Sequence, residues 1–364
     1  MTKLNLAMND DFKEAKLGSD FCKDEIAQVK RLIESSISFS VVGMPGLGIS
    51  IFLRYLATRR FAYFLHLDVY ELSSLTQVEL LKLLPDKNQL QLLTQQHERV
   101  VIIFNRFDQL KKEFDKSFFN NLRSLRDVDK ERVVMIFAAN KPLYEIAPEA
   151  IDAGNLNMYS QTFYLKPYSN EELIRLLKIN TPQFILNKSV LDKALKLCGG
   201  HYQLLQLLLK SERLGTPFFD PFVKAQLRQI YELLDYKQRS QVQKIALGKK
   251  IGDLNNYLLG IGLIREDKSG LKLFTPLFAE FIRTNLPLRL PNKEEKLFKL
   301  LKKNLGKVVG KEEIYNIVWF EDPLEASEWA LNALVYRLRK NPAFAASGYI
   351  LENHKKVGYS LIGI

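Results

Sequence analysis

The sequence predicts a multidomain α/β fold completed by modules of helices and β-hairpins, and three features of the chain predict it. Between Ser38 and Lys166 short apolar runs alternate with helical patterns, and from Asn170 to Arg213 the chain is helical and leucine-rich. After Pro221 two stretches each place three helices ahead of a hairpin. At 364 residues the chain is long for one hydrophobic core, and roughly two to four domains is the natural expectation.

The first module has candidate strands at Phe39–Gly43, Phe61–Val69, Arg99–Phe104, Arg132–Ala139 and Thr162–Leu165. They are dense in Val, Ile and Phe with little alternation, which fits strands buried on both faces of a parallel sheet. Ile49–Arg59 and Lys116–Arg126 read as covering helices, giving a doubly wound α/β module.

The turn after its first strand reads Gly43-Met44-Pro45-Gly46-Leu47-Gly48-Ile49-Ser50. A P-loop has Gly, four residues, Gly, Lys and then Ser or Thr, so that backbone amides cradle phosphates, the lysine neutralises them and the hydroxyl binds magnesium. Gly43, Gly48 and Ser50 keep the pattern and Gly46 adds a glycine, but the lysine is Ile49. Losing a cation about 4 Å from a phosphate removes a Coulomb term of about 4 kcal/mol at an effective dielectric near 20. After Val100–Phe104, where an ATPase of this type places Asp-Glu, the chain has Asn105-Arg106. Neither side chain serves as a general base at neutral pH, so hydrolysis is not expected and no catalytic residue is assigned. Binding of ATP or ADP without hydrolysis stays open, with Arg54 or Arg106 as a substitute cation and Asp108 and Asn140 as polar contacts. The competing expectation is that the loop is a strand-to-helix turn kept for packing.

Between Pro221 and Asn285 the patterns give helices at Phe222–Leu234, Lys237–Leu247 and Ile251–Gly262, a short hairpin around Asp267–Gly270, and a final helix through Phe278–Ile282. This is an internal winged helix. Its third helix carries Asp253 and little positive charge, so packing is expected rather than DNA reading, while Lys249 and Lys250 keep a backbone contact open.

The tail opens with an extended stub, Leu288-Arg289-Leu290, closed by Pro291. A helix from near Asn292 sets Leu297, Leu300, Leu301 and Leu305 at helical spacing, and Gly306 stops it. A second helix, about Lys311–Trp319, buries Ile314, Ile317 and Val318. It carries Glu312 and Glu313 in its first turn, where the helix dipole favours them. A third runs from about Leu324 to Lys340 with Leu331, Leu334, Val335 and Leu338 on its core face. Its outer face presents Trp329, Asn332, Ala333, Tyr336 and Lys340, flanked by Arg337 and Arg339. Cations suit phosphates and guanine edges, an amide suits adenine, and apolar atoms suit thymine methyls. Tyr349–Asn353 and Val357–Leu361 then form a hairpin with Lys355 and Lys356 at its turn. The plainer alternative is a solvated amphipathic helix beside an ordinary hairpin.

In order and spacing, Gly306-Lys307-Val308-Val309-Gly310-Lys311-Glu312-Glu313-Ile314, Val318-Trp319, Arg337-Leu338-Arg339-Lys340 and Val357-Gly358-Tyr359 resemble the OmpR/PhoB-type winged-helix family. The resemblance implies a third helix in the major groove, reading DNA through Trp329, Asn332, Ala333, Tyr336, Arg337 and Lys340, and a hairpin wing on the flanking DNA, with Tyr359 beside it. Gly310 stands where that family has a hydroxyl cap and Lys356 where it has a wing glycine. Over about residues 17–285 the chain resembles the STAND and AAA+ branch of P-loop ATPases. Asn105-Arg106-Phe107-Asp108 sits at the acidic motif, Asn140 at the polar sensor, and Phe163-Tyr164-Leu165-Lys166-Pro167 leads into a lid. Gly200-His201-Tyr202 stands where such a lid has Gly-x-Pro. The expected organisation is an N-terminal arm over 1–37, a P-loop NTPase-like domain over 38–166, a helical lid over 167–215, the internal winged helix over 216–285 and an OmpR/PhoB-type domain over 286–364.

A formal charge of +12 and a pI near 9.4 favour a polyanionic partner. The segment from Arg289 onward has 13 basic and 9 acidic side chains, so it holds only a third of that excess. Cys22 and Cys198 are too few for a disulfide framework, and neither they nor His66, His97, His201 and His354 stand at metal-ligand spacings. No apolar run is long enough to span a bilayer and the first residues do not read as a signal peptide, so a cytoplasmic location without membrane contact is expected. Three functional readings compete: a DNA-binding regulator with a degenerate P-loop module used for sensing or assembly with itself or a protein partner, a nucleotide-dependent switch on double-stranded DNA, and a protein-binding scaffold.

Overall fold

The computed structural model describes residues 12–110, 114–148, 150–151, 156–185, 187–211, 220–249, 251–267, 270–285, 292–320, 323–341, 344 and 348–363. In chain order these hold α1 (Lys23–Glu34), β1 (Phe39–Val42), α2 (Ile49–Ala57), β2 (Tyr63–Asp68), α3 (Gln77–Leu83), α4 (Lys87–Gln96), β3 (Val100–Asn105), α5 (Lys116–Arg126), β4 (Val133–Ala139), α6 (Leu143–Ile146), α7 (Leu156–Tyr159) and β5 (Thr162–Tyr164). There follow α8 (Asn170–Asn180), α9 (Lys188–Cys198), α10 (Tyr202–Lys210), α11 (Pro221–Glu232), α12 (Tyr236–Ala246), α13 (Asn256–Gly260), β6 (Ile264–Asp267), β7 (Gly270–Leu273) and α14 (Pro276–Asn285). The tail contributes α15 (Asn292–Lys303), β8 (Val309–Gly310), α16 (Lys311–Val318), α17 (Glu328–Lys340), β9 (Tyr349–His354) and β10 (Gly358–Gly363). Two compact units divide the chain, Met1–Leu234 with Leu254–Glu266, and Asp235–Asp253 with Asp267–Ile364. Elements of the stretch expected to form an internal winged helix fall in both.

In the first unit five parallel strands lie in the order β2-β3-β4-β1-β5. Every residue of β1, β3 and β4 is buried, which is why their sequences run apolar without alternation. One face packs on α5 and α7 through rings: Phe137 meets Tyr159 edge-on at 5.6 Å, and Tyr159 in turn meets Phe119 edge-on at 5.0 Å. Such pairs contribute about 0.5–1.5 kcal/mol each beyond their buried area. Helix starts follow local chemistry. Asp86 with Gln89 and Ser169 with Glu172 close capping boxes on α4 and α8, satisfying amides that the first turn leaves without partners.

In the second unit, α15, α16 and α17 pack with a three-stranded sheet, β8-β10-β9, around Leu297, Leu301, Ile314, Val318, Leu331, Leu334, Leu338, Tyr359 and Leu361. The core face of α17 is the one its spacing predicts. Its start differs from expectation. The helix begins at Glu328, where the Ser327 hydroxyl accepts from the Ala330 amide at 3.1 Å, and Pro323–Glu325 form a separate 3-10 turn. Likewise α13 begins at Asn256 and not at Ile251, because the Asn255 side chain caps the amides of Tyr257 and Leu258. The two-residue strand β8 carries no periodic signal and is absent from the sequence reading. It pairs antiparallel with β10 so closely that a Cβ on Gly358 would lie 1.8 Å from the Val309 carbonyl oxygen. The stub at 288–290 lies outside the described residues.

Candidate functional site

Two places gather the chemistry the sequence singled out. In the first unit the loop between β1 and α2 borders a cleft of about 510 Å³. Gly46, Gly48, Ile49, Ser50, Asn105, Asp108 and Asn140 line it, together with Tyr70, Tyr202, Gln203, Gln206 and Lys210, while Gly43 is buried at the base of the loop. Strand, loop and helix stand as in a P-loop, but the motif residues face one another. The Ser50 hydroxyl donates to Asn105 Oδ1 at 3.0 Å, and Asn105 Nδ2 donates to Asp68 Oδ2 at 2.8 Å. Asp68 also accepts from the Tyr70 amide and ion-pairs with Arg106, whose guanidinium stacks 4.5 Å from the Tyr70 ring centre. Asp108 Oδ2 accepts from both the amide and Nδ2 of Asn140, at 2.9 and 2.8 Å.

Neither candidate substitute cation is free for a phosphate. Arg54 is held by buried Glu14 at 2.9 Å, and Arg106 by Asp68. The carbonyls of the loop are held as well. Pro45 accepts from His201 Nε2 at 2.9 Å and Gln226 Nε2 at 2.8 Å, Gly46 from the Gln203 amide at 3.1 Å, and Gly48 from the Tyr168 hydroxyl at 3.2 Å. His201 Nδ1 accepts from the Leu204 amide at 3.2 Å, so the proton must sit on Nε2 and the ring is neutral. Burial agrees, pushing the His201 pKa down to about 4. Gly46, at φ +79°, has a backbone that side chains rarely adopt, and a Cβ there would displace the Gln203 side-chain oxygen, 2.3 Å away. His201 therefore fastens the loop, with Gln203 and Gln226 beside it. Glu14, Asp68, Gln203 and Gln226 were missed by sequence reading because they come from distant segments.

Among the described residues one cluster sets metal-type side chains together: Cys22, Glu25 and Glu172, with ligand atoms within 4.8 Å of one another. The Cys22 amide donates to Glu172 Oε1 at 3.0 Å, and burial, then the two carboxylates, push the thiol pKa far up.

The second place is the outer face of α17. Trp329 is 81% exposed and Tyr336 63% exposed, and Lys340 Nζ lies 5.9 Å from the Tyr336 ring centre. Asn332 is exposed and Ala333 half-buried between them. The helix presents these groups because Leu331, Leu334, Val335 and Leu338 fix its rotation. Two of the flanking cations are engaged. Arg337 Nε donates to buried Glu294 at 2.8 Å, and Arg339 Nη2 to the Leu351 carbonyl at 2.8 Å. Tyr359, placed by resemblance beside the DNA, is instead buried at 2% exposure, and its hydroxyl donates to Asn332 Oδ1 at 2.8 Å. Lys355 and Lys356 are exposed at the turn between β9 and β10, and Lys356 takes a left-handed backbone with φ +64°.

Together, a parallel sheet with a strand–loop–helix of P-loop form and a tail of three helices with a hairpin define an ATPase-like module joined to a winged-helix DNA-binding domain. The tail's family is specific: residues 285–361 match the family described as "Transcriptional regulatory protein, C terminal", and that segment is a DNA-binding domain of the transcription-regulator type. No curated protein matches the chain. Among solved structures, a Walker-type ATPase of Pyrococcus abyssi aligns with 72% of this chain and 95% of its own at 17% identity and a TM-score of 0.45. The RuvB Holliday junction branch migration motor of Thermotoga maritima aligns with 73% and 96% at 13% identity and 0.34. The Aeropyrum pernix ORC1 protein, in complex with DNA, aligns with 96% and 92% at 10% identity and 0.37. All three scores lie below 0.5, and nothing about function follows from them. No helix among the described residues is long and apolar enough to cross a membrane.

Proposed function

We propose that the chain is a sequence-specific DNA-binding regulator. In this reading α17 enters the major groove, the β9–β10 turn follows the backbone with Lys355 and Lys356, and the first unit serves as a sensing or assembly platform without hydrolysing ATP. The observation that carries it is the exposed aromatic and cationic face of α17 within a segment of transcription-regulator type. Trp329, Ala333 and Tyr336 meet thymine methyls and sugar edges, Asn332 reads a base, and Lys340 meets phosphate. The paired groups of the cleft support the other half. With Ile49 for lysine, Asn105 for the acid and both nearby arginines in ion pairs, magnesium and a triphosphate gain little there.

The test is selection from a randomised duplex pool at near-physiological salt, with and without Mg-ATP. An enriched motif, the same in both conditions, is expected. Enrichment only with ATP would replace this reading by a nucleotide switch, and no enrichment in either condition would leave the exposed aromatics as a protein-docking surface.

A further inference from the structure

We infer that Tyr359 sets the base preference of Asn332, turning it from an adenine reader into a reader of keto bases, guanine or thymine; the inference rests on the DNA-reading role proposed above. Asn332 stands exposed on the outer face of α17. Its carbonyl oxygen takes the phenolic hydrogen of Tyr359 at 2.8 Å. Tyr359 is itself immobilised: it lies in β10 between Val309 of β8 and Asn353 of β9, and it is 2% exposed. The amide plane of Asn332 is thereby anchored from below by a group that cannot swing away.

An asparagine recognises adenine through both ends of its amide, accepting from N6 and donating to N7. Here one of the two lone pairs on the accepting end is taken by the protein and the oxygen is held towards it, so the end best placed for a partner is Nδ2 with its two N–H donors. In the major groove guanine offers two neighbouring acceptors, O6 and N7, and thymine offers O4, while adenine sets a donor beside its one acceptor. An amide whose oxygen is held back in this way and whose donors face outward therefore favours guanine, then thymine. Tyr359 acts as a positioning residue and touches no base.

The experiment is duplex selection with the full chain as wild type, Tyr359→Phe and Asn332→Asp, with thermal midpoints measured alongside. The wild type is expected to show guanine or thymine at one position, which Asn332→Asp, holding acceptors only, converts to cytosine or adenine. Tyr359→Phe keeps the ring and frees the carbonyl, so discrimination against adenine at that position should fall about fivefold with the other positions kept. Adenine at the Asn332-dependent position of the wild type would overturn the inference. So would a Tyr359→Phe profile scaled evenly across all positions, which is what a purely structural role gives. Should Tyr359→Phe fail to fold, the Asn332→Asp conversion still decides. A wild type that enriches no motif overturns the DNA-reading role itself, a result distinct from a motif with the wrong base.

Discussion

The loop cleft and the outer face of α17 hold comparable sets of polar and aromatic side chains, but they spend them in opposite directions. In the cleft Ser50, Asn105, Asp68, Arg106, Asp108 and Asn140 bond one another, and the loop carbonyls bond His201, Gln203, Gln226 and Tyr168. On α17 Trp329 and Tyr336 are left in solvent, with the donors of Asn332 and the charge of Lys340 beside them. Groups already satisfied by the protein must give up fixed partners when a ligand comes; groups facing water exchange only water. The contrast teaches that a recognisable motif marks ancestry of shape, while the direction in which its hydrogen bonds run marks what it can still bind.

The largest expected effect tests a cation that flanks the α17 face yet is engaged by the protein, as the cleft's side chains are. Arg337→Ala removes the partner of buried Glu294, whose second oxygen already has no hydrogen-bond partner, and should lower the stability of the second unit by about 3 kcal/mol. Denaturant titration would show this, with most of the loss recovered in Arg337→Ala/Glu294→Gln. A stable Arg337→Ala protein that merely loses base specificity would move Arg337 into the reading face.

Next comes acid. His201 is buried and His66 half-buried, and desolvation depresses both pKa values to about 4, below the ordinary value of 6.5. The unfolded chain therefore binds more protons than the folded one between those values. Stability should be full above about pH 6.5 and fall as the pH drops towards 4, by about 2 kcal/mol for each histidine. Urea midpoints from pH 7.5 to 4.5 measure it, and His201→Gln should flatten part of the slope. A flat wild-type profile would mean that the loop clasp opens to water.

A smaller effect concerns binding. Tyr336→Ala should weaken specific DNA affinity about tenfold, close to 1.4 kcal/mol, with folding stability unchanged within about 0.5 kcal/mol because the ring is exposed. Ser50→Ala should leave DNA affinity unaltered. The reverse pattern would transfer function to the cleft. Smallest is Lys356→Gly, which relieves a left-handed backbone and should raise stability by about 0.5–1 kcal/mol. If the turn meets the phosphate backbone, that variant should also lower the salt slope of binding by about one.

Elements with a strong pattern were legible in the chain: the unbroken apolar runs of β1, β3 and β4, the helical spacing of the core face of α17, and the hairpin closing the tail. Such runs and spacings are read from a short stretch whatever surrounds it, so pattern suffices. The loss of the phosphate-binding lysine was legible too, since Ile49 stands in an otherwise intact loop. Less visible were β8, too short for a period, and the starts of α13 and α17, where one capping side chain outweighs several helix-permissive residues before it.

By itself, then, the sequence determined the parallel sheet of the first module, the winged-helix class of the tail and the isoleucine in place of the P-loop lysine, because local periodicity and side-chain chemistry are properties of short stretches. Only the tertiary structure decided which polar groups remain free. Glu14 meets Arg54 across 40 positions, Asp68 meets Arg106 across 38, Glu294 meets Arg337 across 43, and Tyr359 meets Asn332 across 27. A hydrogen bond depends on a distance near 3 Å and on direction, and packing alone brings such distant segments to that range.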